Sequence, residues 1–155
     1  MASAKATVNF TAQYGLTIGY DYLSGDDYVP VTYGGAFGLP LQEVEGGFSP
    51  IYGSRTKFYG IMDYFYESAY INGFTPGLQN AFVGAHFTPD AKFACHATYH
   101  YLATATELNS LDRTLGHSIE LQANYKYSKD ISLVAGYTHM IGTETMDRLT
   151  SLRMP

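Results

Sequence analysis

An alternation of apolar and polar side chains, sustained from residue 115 to residue 142, restricts the possible folds of this chain more than any other feature. On one side of its first half lie Leu115, Ile119, Leu121, Ala123, Tyr125 and Tyr127. On the other side lie Ser118, Glu120, Gln122, Asn124 and Lys126. A period of two residues is that of a β-strand. A polar turn at residues 128–130 separates this segment from a second one of the same kind, so the stretch predicts a β-hairpin.

Both arms of this hairpin are long. A strand in a soluble protein usually has about five or six residues, whereas a strand that crosses a bilayer at a steep tilt needs about nine to eleven. One face of each arm is apolar and aromatic and the other is polar, which suits a strand with lipid on one side and water on the other. The length and the pattern together favour a transmembrane β-barrel.

The same alternation predicts four earlier strands, near residues 5–10, 16–22, 78–87 and 91–106. Short polar turns at residues 11–15, 88–90 and 128–130 fall on one side of the predicted sheet. The longer connections, at residues 24–76 and 107–114 and after Thr143, fall on the other. This sorting is typical of an up-and-down membrane barrel. The predicted fold class is therefore all-β, an antiparallel up-and-down transmembrane β-barrel portion of about six long strands.

A weak internal repeat supports successive hairpins of one plan. Apolar residues follow Thr11 and Ser128 at the same spacings of three, five, seven and nine residues, and Thr88 begins a similar series with one extra pair.

Residues 1–155 are predicted to form a single β-barrel portion in which residues 24–76 are a long loop section. Membrane barrels of one chain start at about eight strands, and unpaired edges in lipid cost several kcal/mol per backbone group, as an order of magnitude. The chain is therefore expected to be a fragment of a larger barrel, or to need other copies for closure. The aromatic run at residues 57–66 is interpreted as a loop segment folded onto the barrel mouth or into the lumen, with a short strand as the alternative.

Composition excludes several classes of protein. The net charge is −5 with only nine Lys and Arg residues, so a nucleic-acid partner is not expected. The single cysteine, Cys95, excludes an intrachain disulfide and is interpreted as a small hydrophobe on the apolar face. The sequence contains no run of eighteen apolar residues, so it does not predict a membrane-spanning helix. The first residues lead directly into a strand pattern, so we do not expect an export signal within this sequence. The barrel pattern makes the bacterial outer membrane the expected location.

Polar residues opposite the aromatic face are the candidate lining of a water-filled lumen. They are Thr17, Asp21, Asn80, His86, Lys92, His96, Thr98, His100, Glu120, Gln122, Asn124 and Lys126. Their expected role is to select solutes by charge and hydrogen bonding. The candidate gating residues in the long loop section are Arg55, Lys57, Tyr59 and Asp63. The expected partners are the lipid bilayer of the outer membrane and a polar or anionic solute.

Neither an enzyme nor a metal site is predicted. His96 and His100 are four residues apart, about 13 Å along a strand, which is too far for one ion. Glu120 is the only acidic residue among the lumen positions of its strand, so no carboxylate pair suggests hydrolysis. The prediction is therefore no catalytic residue, no metal and no cofactor.

Several segments resemble outer-membrane β-barrels of the alginate-export type, in the version found in Bacteroidetes-like bacteria, over nearly the whole chain. They are residues 21–26 (DYLSGD), 48–53 (FSPIYG), 57–60 (KFYG) with Asp63 and Phe65, 77–79 (GLQ), 99–101 (YHY) and 142–146 (GTETM). The resemblance, which is to the C-terminal part of that family, implies a porin-like barrel of many more strands. In such a barrel, long loops would help to gate a polar pore for an anionic polysaccharide or another solute.

Alternation alone leaves a second interpretation open. A soluble β-barrel or sandwich that binds a small ligand would turn the same aromatic face inward and the polar face outward.

Overall fold

A computed structural model describes residues 1–25, 77–106 and 112–151 of the chain. Six strands and one helix follow in sequence order: β1 (Ala2–Asn9), β2 (Tyr14–Leu23), β3 (Leu78–Phe87), β4 (Phe93–Ala103), β5 (Thr114–Lys126), β6 (Ser132–Gly142) and α1 (Glu144–Ser151). Among the described residues, no helix has the length and apolar character needed to cross a membrane.

The strands form one sheet in the order β1-β2-β3-β4-β5-β6, with every neighbouring pair antiparallel. The predicted all-β, up-and-down arrangement of six long strands is confirmed. Within the described ranges the sheet does not close on itself, so β1 and β6 are its edges. The end of the sheet at the three short turns is called the turn end, and the opposite end is called the loop end.

Each of the three short turns is built on one short polar side chain. The hydroxyl of Thr11 accepts hydrogen bonds from the backbone N–H groups two and three residues later, both at 3.1 Å. The carboxylate of Asp90 does the same at 2.6 and 2.9 Å, and the hydroxyl of Ser128 at 3.3 and 3.1 Å. Such local bonds compete with strand pairing and so end one strand and start the next.

These contacts correct the residue from which the repeat is counted in the β3–β4 hairpin. The series that begins at Thr88 needs an extra pair, whereas counting from Asp90 places Phe93, Cys95, Ala97 and Tyr99 at three, five, seven and nine residues. Because the Asp90 turn takes up residues 91 and 92, β4 begins at Phe93 rather than at residue 91. The first strand, by contrast, begins earlier than predicted, at Ala2, and ends at Asn9.

The registers divide the side chains of the sheet into two faces, here called the apolar face and the polar face. One row of direct partners on the apolar face is Val8, Leu16, Ala85, Ala97, Leu121 and Tyr137. One row on the polar face is Thr7, Thr17, Gly84, Thr98, Glu120 and Thr138. Each row crosses all six strands, so the alternation read from the sequence is continuous across the sheet.

The fully buried apolar side chains lie at the loop end. Leu23 and Leu78 are direct partners there, and Leu102 lies one strand further on the same face. A β-bulge in the β4–β5 ladder follows, because Leu102 pairs with Gly116 while Ala103 pairs with Thr114. Among the described residues, the buried apolar side chains are therefore concentrated at this end of the sheet.

The helix α1 was not predicted, since the sequence after Thr143 shows only a loss of alternation. Thr143 precedes the helix, and its carbonyl accepts the N–H of Asp147 at 3.1 Å. Its hydroxyl donates to the carbonyls of Thr114 and Leu115 at the bulge. Met146 is buried, so α1 is anchored to the loop end of β5 and β6.

Candidate functional site

The candidate lumen residues lie together on the polar face, with one exception. Lys92 precedes β4 in the Asp90 turn, where its side chain is exposed. Arg55, Lys57, Tyr59 and Asp63 lie outside the described residues, as do the rest of the long loop from residue 26 and the aromatic run at residues 57–66. Their predicted gating role stays a prediction.

Four of the polar-face residues form a buried network toward the loop end. Asp21, Asn80, His100 and Glu120 are each between 4% and 8% exposed. The Asn80 amide nitrogen donates to Asp21 Oδ2 at 3.3 Å, and Asn80 Oδ1 lies 2.9 Å from His100 Nδ1. Ser3 of β1 donates to Asp21 Oδ1 at 2.5 Å. The network therefore crosses the sheet from β1 to β5.

The hydrogen bonds of Asn80 indicate which ring nitrogen of His100 carries a proton. Because the Asn80 amide nitrogen faces the Asp21 carboxylate, its oxygen faces His100, and Nδ1 of His100 must carry the proton that it donates. His100 Nε2 then points toward Glu120, with Oε2 at 3.6 Å. That separation is too long for a hydrogen bond, and Nε2 is buried with no hydrogen-bond partner among the described residues.

An open cleft on the polar face lies nearer the turn end. It is lined by Lys5, Thr17, Phe82, Gly84, Ala85, His86, His96 and Thr98. The His86 and His96 rings are direct cross-strand partners with centroids 6.2 Å apart, and the Thr7 and Thr17 hydroxyls lie 3.0 Å apart. A cationic amine, two imidazoles and several hydroxyls can bind the oxygens of a polar or anionic solute.

Two glycines of β2 make room for rings on this face. The Phe82 ring lies directly over Gly19, and the His86 ring lies over Gly15, so that a Cβ at either glycine would overlap the ring. The cross-strand pairs Gly19–Phe82 and Gly15–His86 place these rings against backbone rather than side chains. This contact holds the rings close to the floor of the cleft.

The remaining candidate lumen residues lie on the part of β5 that is nearest the turn end. Gln122 and Asn124 are half-buried on β5, and Lys126 is exposed at the end of that strand. The backbone N–H of Lys126 donates to the carbonyl of Lys92 at 2.8 Å, so the two lysines are neighbours at the rim. The rim thus carries two lysines together with the Asp90 carboxylate of the same turn, while Asp21 and Glu120 lie deeper, toward the loop end.

The candidate lumen residues omit four side chains that the network and the cleft contain: Ser3, Lys5, Thr7 and Phe82. Ser3 and Lys5 alternate with alanines in β1, and this signal was visible in the sequence. Phe82 was not identifiable by residue type, because an aromatic ring on a polar face contradicts the alternation. Only the partner glycine at position 19 explains how it fits.

Within the described residues, no group of three His, Cys, Asp or Glu side chains is placed to hold a metal ion. No family model, curated protein or solved structure matches the chain. The functional assignment therefore depends on the polar and apolar faces themselves, and the resemblance to the alginate-export type stays a prediction.

Proposed function

We propose that this chain is part of a transmembrane β-barrel channel of the bacterial outer membrane, through which a polar or anionic solute passes. In this proposal the apolar face contacts lipid and the polar face lines water. The chain acts as a conduit rather than an enzyme, and the solute is selected by the charges and hydrogen-bonding groups along the polar face.

The observation that carries the proposal is the distribution of exposure between the two faces. Large apolar side chains in the middle of the strands are exposed, with Ile18 at 61% and Leu121 at 44%. Their neighbours on the opposite face include the buried Asp21, Asn80 and Glu120. An apolar surface that stays exposed across six neighbouring strands is unusual in a water-soluble monomer and is normal for a surface that lipid covers.

Aromatic side chains on the apolar face support the same assignment. Tyr14 and Phe87 stack near the turn end, with ring centroids 4.8 Å apart. Toward the loop end, the hydroxyls of Tyr20, Tyr99 and Tyr101 bond to Gln79, His117 and Thr114. Such amphipathic rings at both ends of an apolar band are typical of side chains at the two membrane interfaces.

The polar face suggests how a solute would be selected. A solute entering from the turn end would first meet Lys92 and Lys126 and then the cleft with Lys5, His86 and His96. The carboxylates of Asp21 and Glu120 lie beyond that cleft within a bonded network. The lysines at the rim and in the cleft would attract solutes that carry negative charge, the class that the resemblance to alginate-export barrels implies.

The alternative, a soluble barrel or sandwich with an aromatic interior, requires the opposite arrangement. It would bury Ile18, Leu121 and Tyr137, of which Tyr137 is 60% exposed. Exposure in the described sheet therefore favours the channel over the ligand-binding protein.

The experiment that tests the proposal is partitioning of the expressed chain with and without detergent, followed by circular dichroism and conductance in planar bilayers. We expect a β-rich spectrum and a dispersed protein only in detergent or lipid, together with stepwise conductance. A monodisperse, cooperatively folding β-protein in plain buffer would contradict the proposal and favour the soluble alternative.

A further inference from the structure

Two histidines of the polar face lie side by side on neighbouring strands. His86 of β3 and His96 of β4 are direct cross-strand partners, and their ring centroids are 6.2 Å apart. Spacing along a single strand excludes one ion between His96 and His100, but the register of β3 and β4 gives His96 a histidine neighbour that the sequence alone does not reveal. Imidazole is the commonest protein ligand of metal ions, so His86 and His96 are a candidate ligand pair.

The separation of the two rings fits imidazoles that share one metal ion. With a metal–nitrogen bond of about 2.0–2.1 Å, two imidazoles on one ion have ring centres roughly 5–6.5 Å apart, depending on the angle at the metal. The 6.2 Å between His86 and His96 falls within this range. Opposite residues of an antiparallel pair keep their Cβ atoms about 4.5–5.5 Å apart, so the backbone maintains this spacing.

Both rings are available for a ligand. Among the described residues, neither imidazole has a hydrogen-bond partner. The His86 ring is held in place, since it lies over Gly15, where an added Cβ would overlap it. His96 is exposed, and its ring turns easily about the Cβ–Cγ bond, a torsion with a broad energy well. One ligand is thus positioned in advance, and the other can adjust to an ion.

The surroundings of the pair suit a hydrated cation. The cleft beside the two rings has a volume of about 220 Å³, which holds several water molecules at about 30 Å³ each. Lys5 lines the same cleft, but it pairs with Gly19, whose backbone position is about 13 Å along β2 from the partner of His86. Salt therefore screens most of the repulsion by its ammonium group. The carboxylate of Glu120 is on a position of β5 diagonal to His96, where it favours a cation.

We propose that His86 and His96 together bind one divalent transition-metal ion of the kind that imidazole prefers, such as Zn²⁺ or Cu²⁺. Each neutral ring gives one nitrogen lone pair to the ion. Because the described residues offer no third His, Cys, Asp or Glu to the same ion, water completes its coordination. The result is an open site, in which a bound water can exchange for an oxygen of a solute.

This site does not depend on the proposed function. The polar face meets water both in the channel and in the soluble alternative, so an ion reaches the pair in either case. Only one consequence rests on the channel. There the ion would lie in the path of the solute, and its charge and open positions would retain an anionic solute.

The test is calorimetric titration of the full-length chain with Zn²⁺, in detergent or in buffer, whichever disperses it. The purification tag contains no histidine, and a chelator removes metal beforehand. The variants are His86→Gln, His96→Gln and the two together. The matched control is His139→Gln, which removes a histidine from the apolar face of β6. Circular dichroism checks that each variant is folded.

We expect one Zn²⁺ per chain and a loss of at least about ten-fold in affinity in either single variant, since even residues outside the ligand shell usually cost that much. The double variant should bind only slightly more weakly than either single one, because each single change already removes the pair. His139→Gln should leave the affinity unchanged. Equal affinity of the wild-type chain and the double variant would overturn the proposal. So would an equal loss in His139→Gln, or additive losses that indicate two separate one-histidine sites.

Copper adds a measurement that needs no variant. In the electron paramagnetic resonance spectrum of the wild-type chain with one equivalent of Cu²⁺, we expect the signature of two imidazole nitrogens on one ion. A single imidazole nitrogen would contradict the shared site.

Conductance in planar bilayers separates this inference from the proposed function. If the chain binds Zn²⁺ through the pair but neither inserts in lipid nor conducts, the metal site stands and the channel is wrong. If the chain conducts while the wild-type chain and the double variant bind Zn²⁺ equally, the channel stands and the metal site is wrong.

Discussion

At the scale of single residues, Asn80 is the link on which the buried network depends. It donates to Asp21 and accepts from His100, so it satisfies one charged group and one ring nitrogen in a place that water barely reaches. A buried polar group that loses its partner costs much more free energy than the bond contributes. The orientation of His100 toward Glu120 follows from the same contact.

We expect Asn80→Leu to lower the free energy of unfolding by about 2–4 kcal/mol, because Asp21 Oδ2 and His100 Nδ1 both lose their partner in a buried setting. The measurement is urea unfolding in detergent, followed by circular dichroism. The matched control is Asn124→Leu, which makes the same change at a half-buried position of the same face. A loss of equal size in both variants would contradict the role given to the network.

The sequence predicted that these four residues share one face, but it did not predict the hydrogen bonds between them. The alternation places Asp21, Asn80, His100 and Glu120 on one face, since that depends only on local parity. The contacts of His100 are diagonal, because its direct partners are Phe82 and Ser118. Which diagonals meet depends on the register, and the register depends on where each turn begins.

At the scale of strands and turns, register is set by the three polar residues that start the hairpins. A turn that began at Thr88 rather than Asp90 would shift β4 by two residues against β3, which preserves the faces and changes every cross-strand neighbour. The sequence contained the correct spacing from Asp90. It could not show that a carboxylate, rather than the hydroxyl of Thr88, would accept the N–H groups of the turn.

Gly116 is the point at which the β4–β5 bulge and the β5–β6 ladder meet. Its φ is +147°, which side chains other than glycine rarely adopt, and an added Cβ would overlap the carbonyl oxygen of Ile141. We expect Gly116→Ala to destabilise the fold by about 1–3 kcal/mol. Thermal unfolding in detergent provides the measurement.

The control for that variant lies on the facing strand. An added Cβ at Gly136 of β6 meets nothing closer than the carbonyl oxygen of Leu121 at 3.7 Å. Gly136→Ala should therefore leave the unfolding temperature unchanged or raise it slightly, because alanine reduces the flexibility of the unfolded chain. If the two variants unfold at the same temperature, the strain attributed to Gly116 does not exist.

The sequence contains features of a helix N-terminus before α1, although the segment was interpreted as a loop. Thr143 is a favourable residue before a helix, and Glu144 and Asp147 place negative charge in the first turn. The strand pattern had ended, and a polar segment after the last strand was interpreted as loop. Its packing against the bulge depends on Met146 and Thr143, and it follows from tertiary contacts that no local pattern contains.

At the scale of the whole molecule, the sequence predicted two faces and the structure adds which of them is exposed. Leu121 and Gln122 are adjacent on β5 and point to opposite faces, which makes them a direct test of what covers each face. In a bilayer, we expect Leu121→Lys to lower the stability of the folded protein by about 2–4 kcal/mol near the midplane. Gln122→Lys should change it by less than about 0.5 kcal/mol, since its side chain would meet water.

The measurement is the folded fraction in lipid vesicles as a function of urea, read from the shift of the folded band on a gel without heating. An exposed residue of a water-soluble protein would accept lysine easily. Equal tolerance of Leu121→Lys and Gln122→Lys would therefore indicate that lipid does not cover the apolar face.

The final prediction concerns the rim, where solute selection would begin. Lys126 faces the polar side at the end of β5, beside Lys92, whereas Lys129 lies in the exposed turn between β5 and β6. We expect Lys126→Glu to lower the preference of the open channel for anions over cations by about two- to five-fold, because one rim charge acts across a distance comparable to the screening length. Lys129→Glu makes the same change of charge outside the lumen and should alter the preference by less than about 1.5-fold. The reversal potential under a salt gradient measures both. If the two variants shift it equally, Lys126 does not face the pathway, and if neither shifts it, the turn end is not where the channel distinguishes charge.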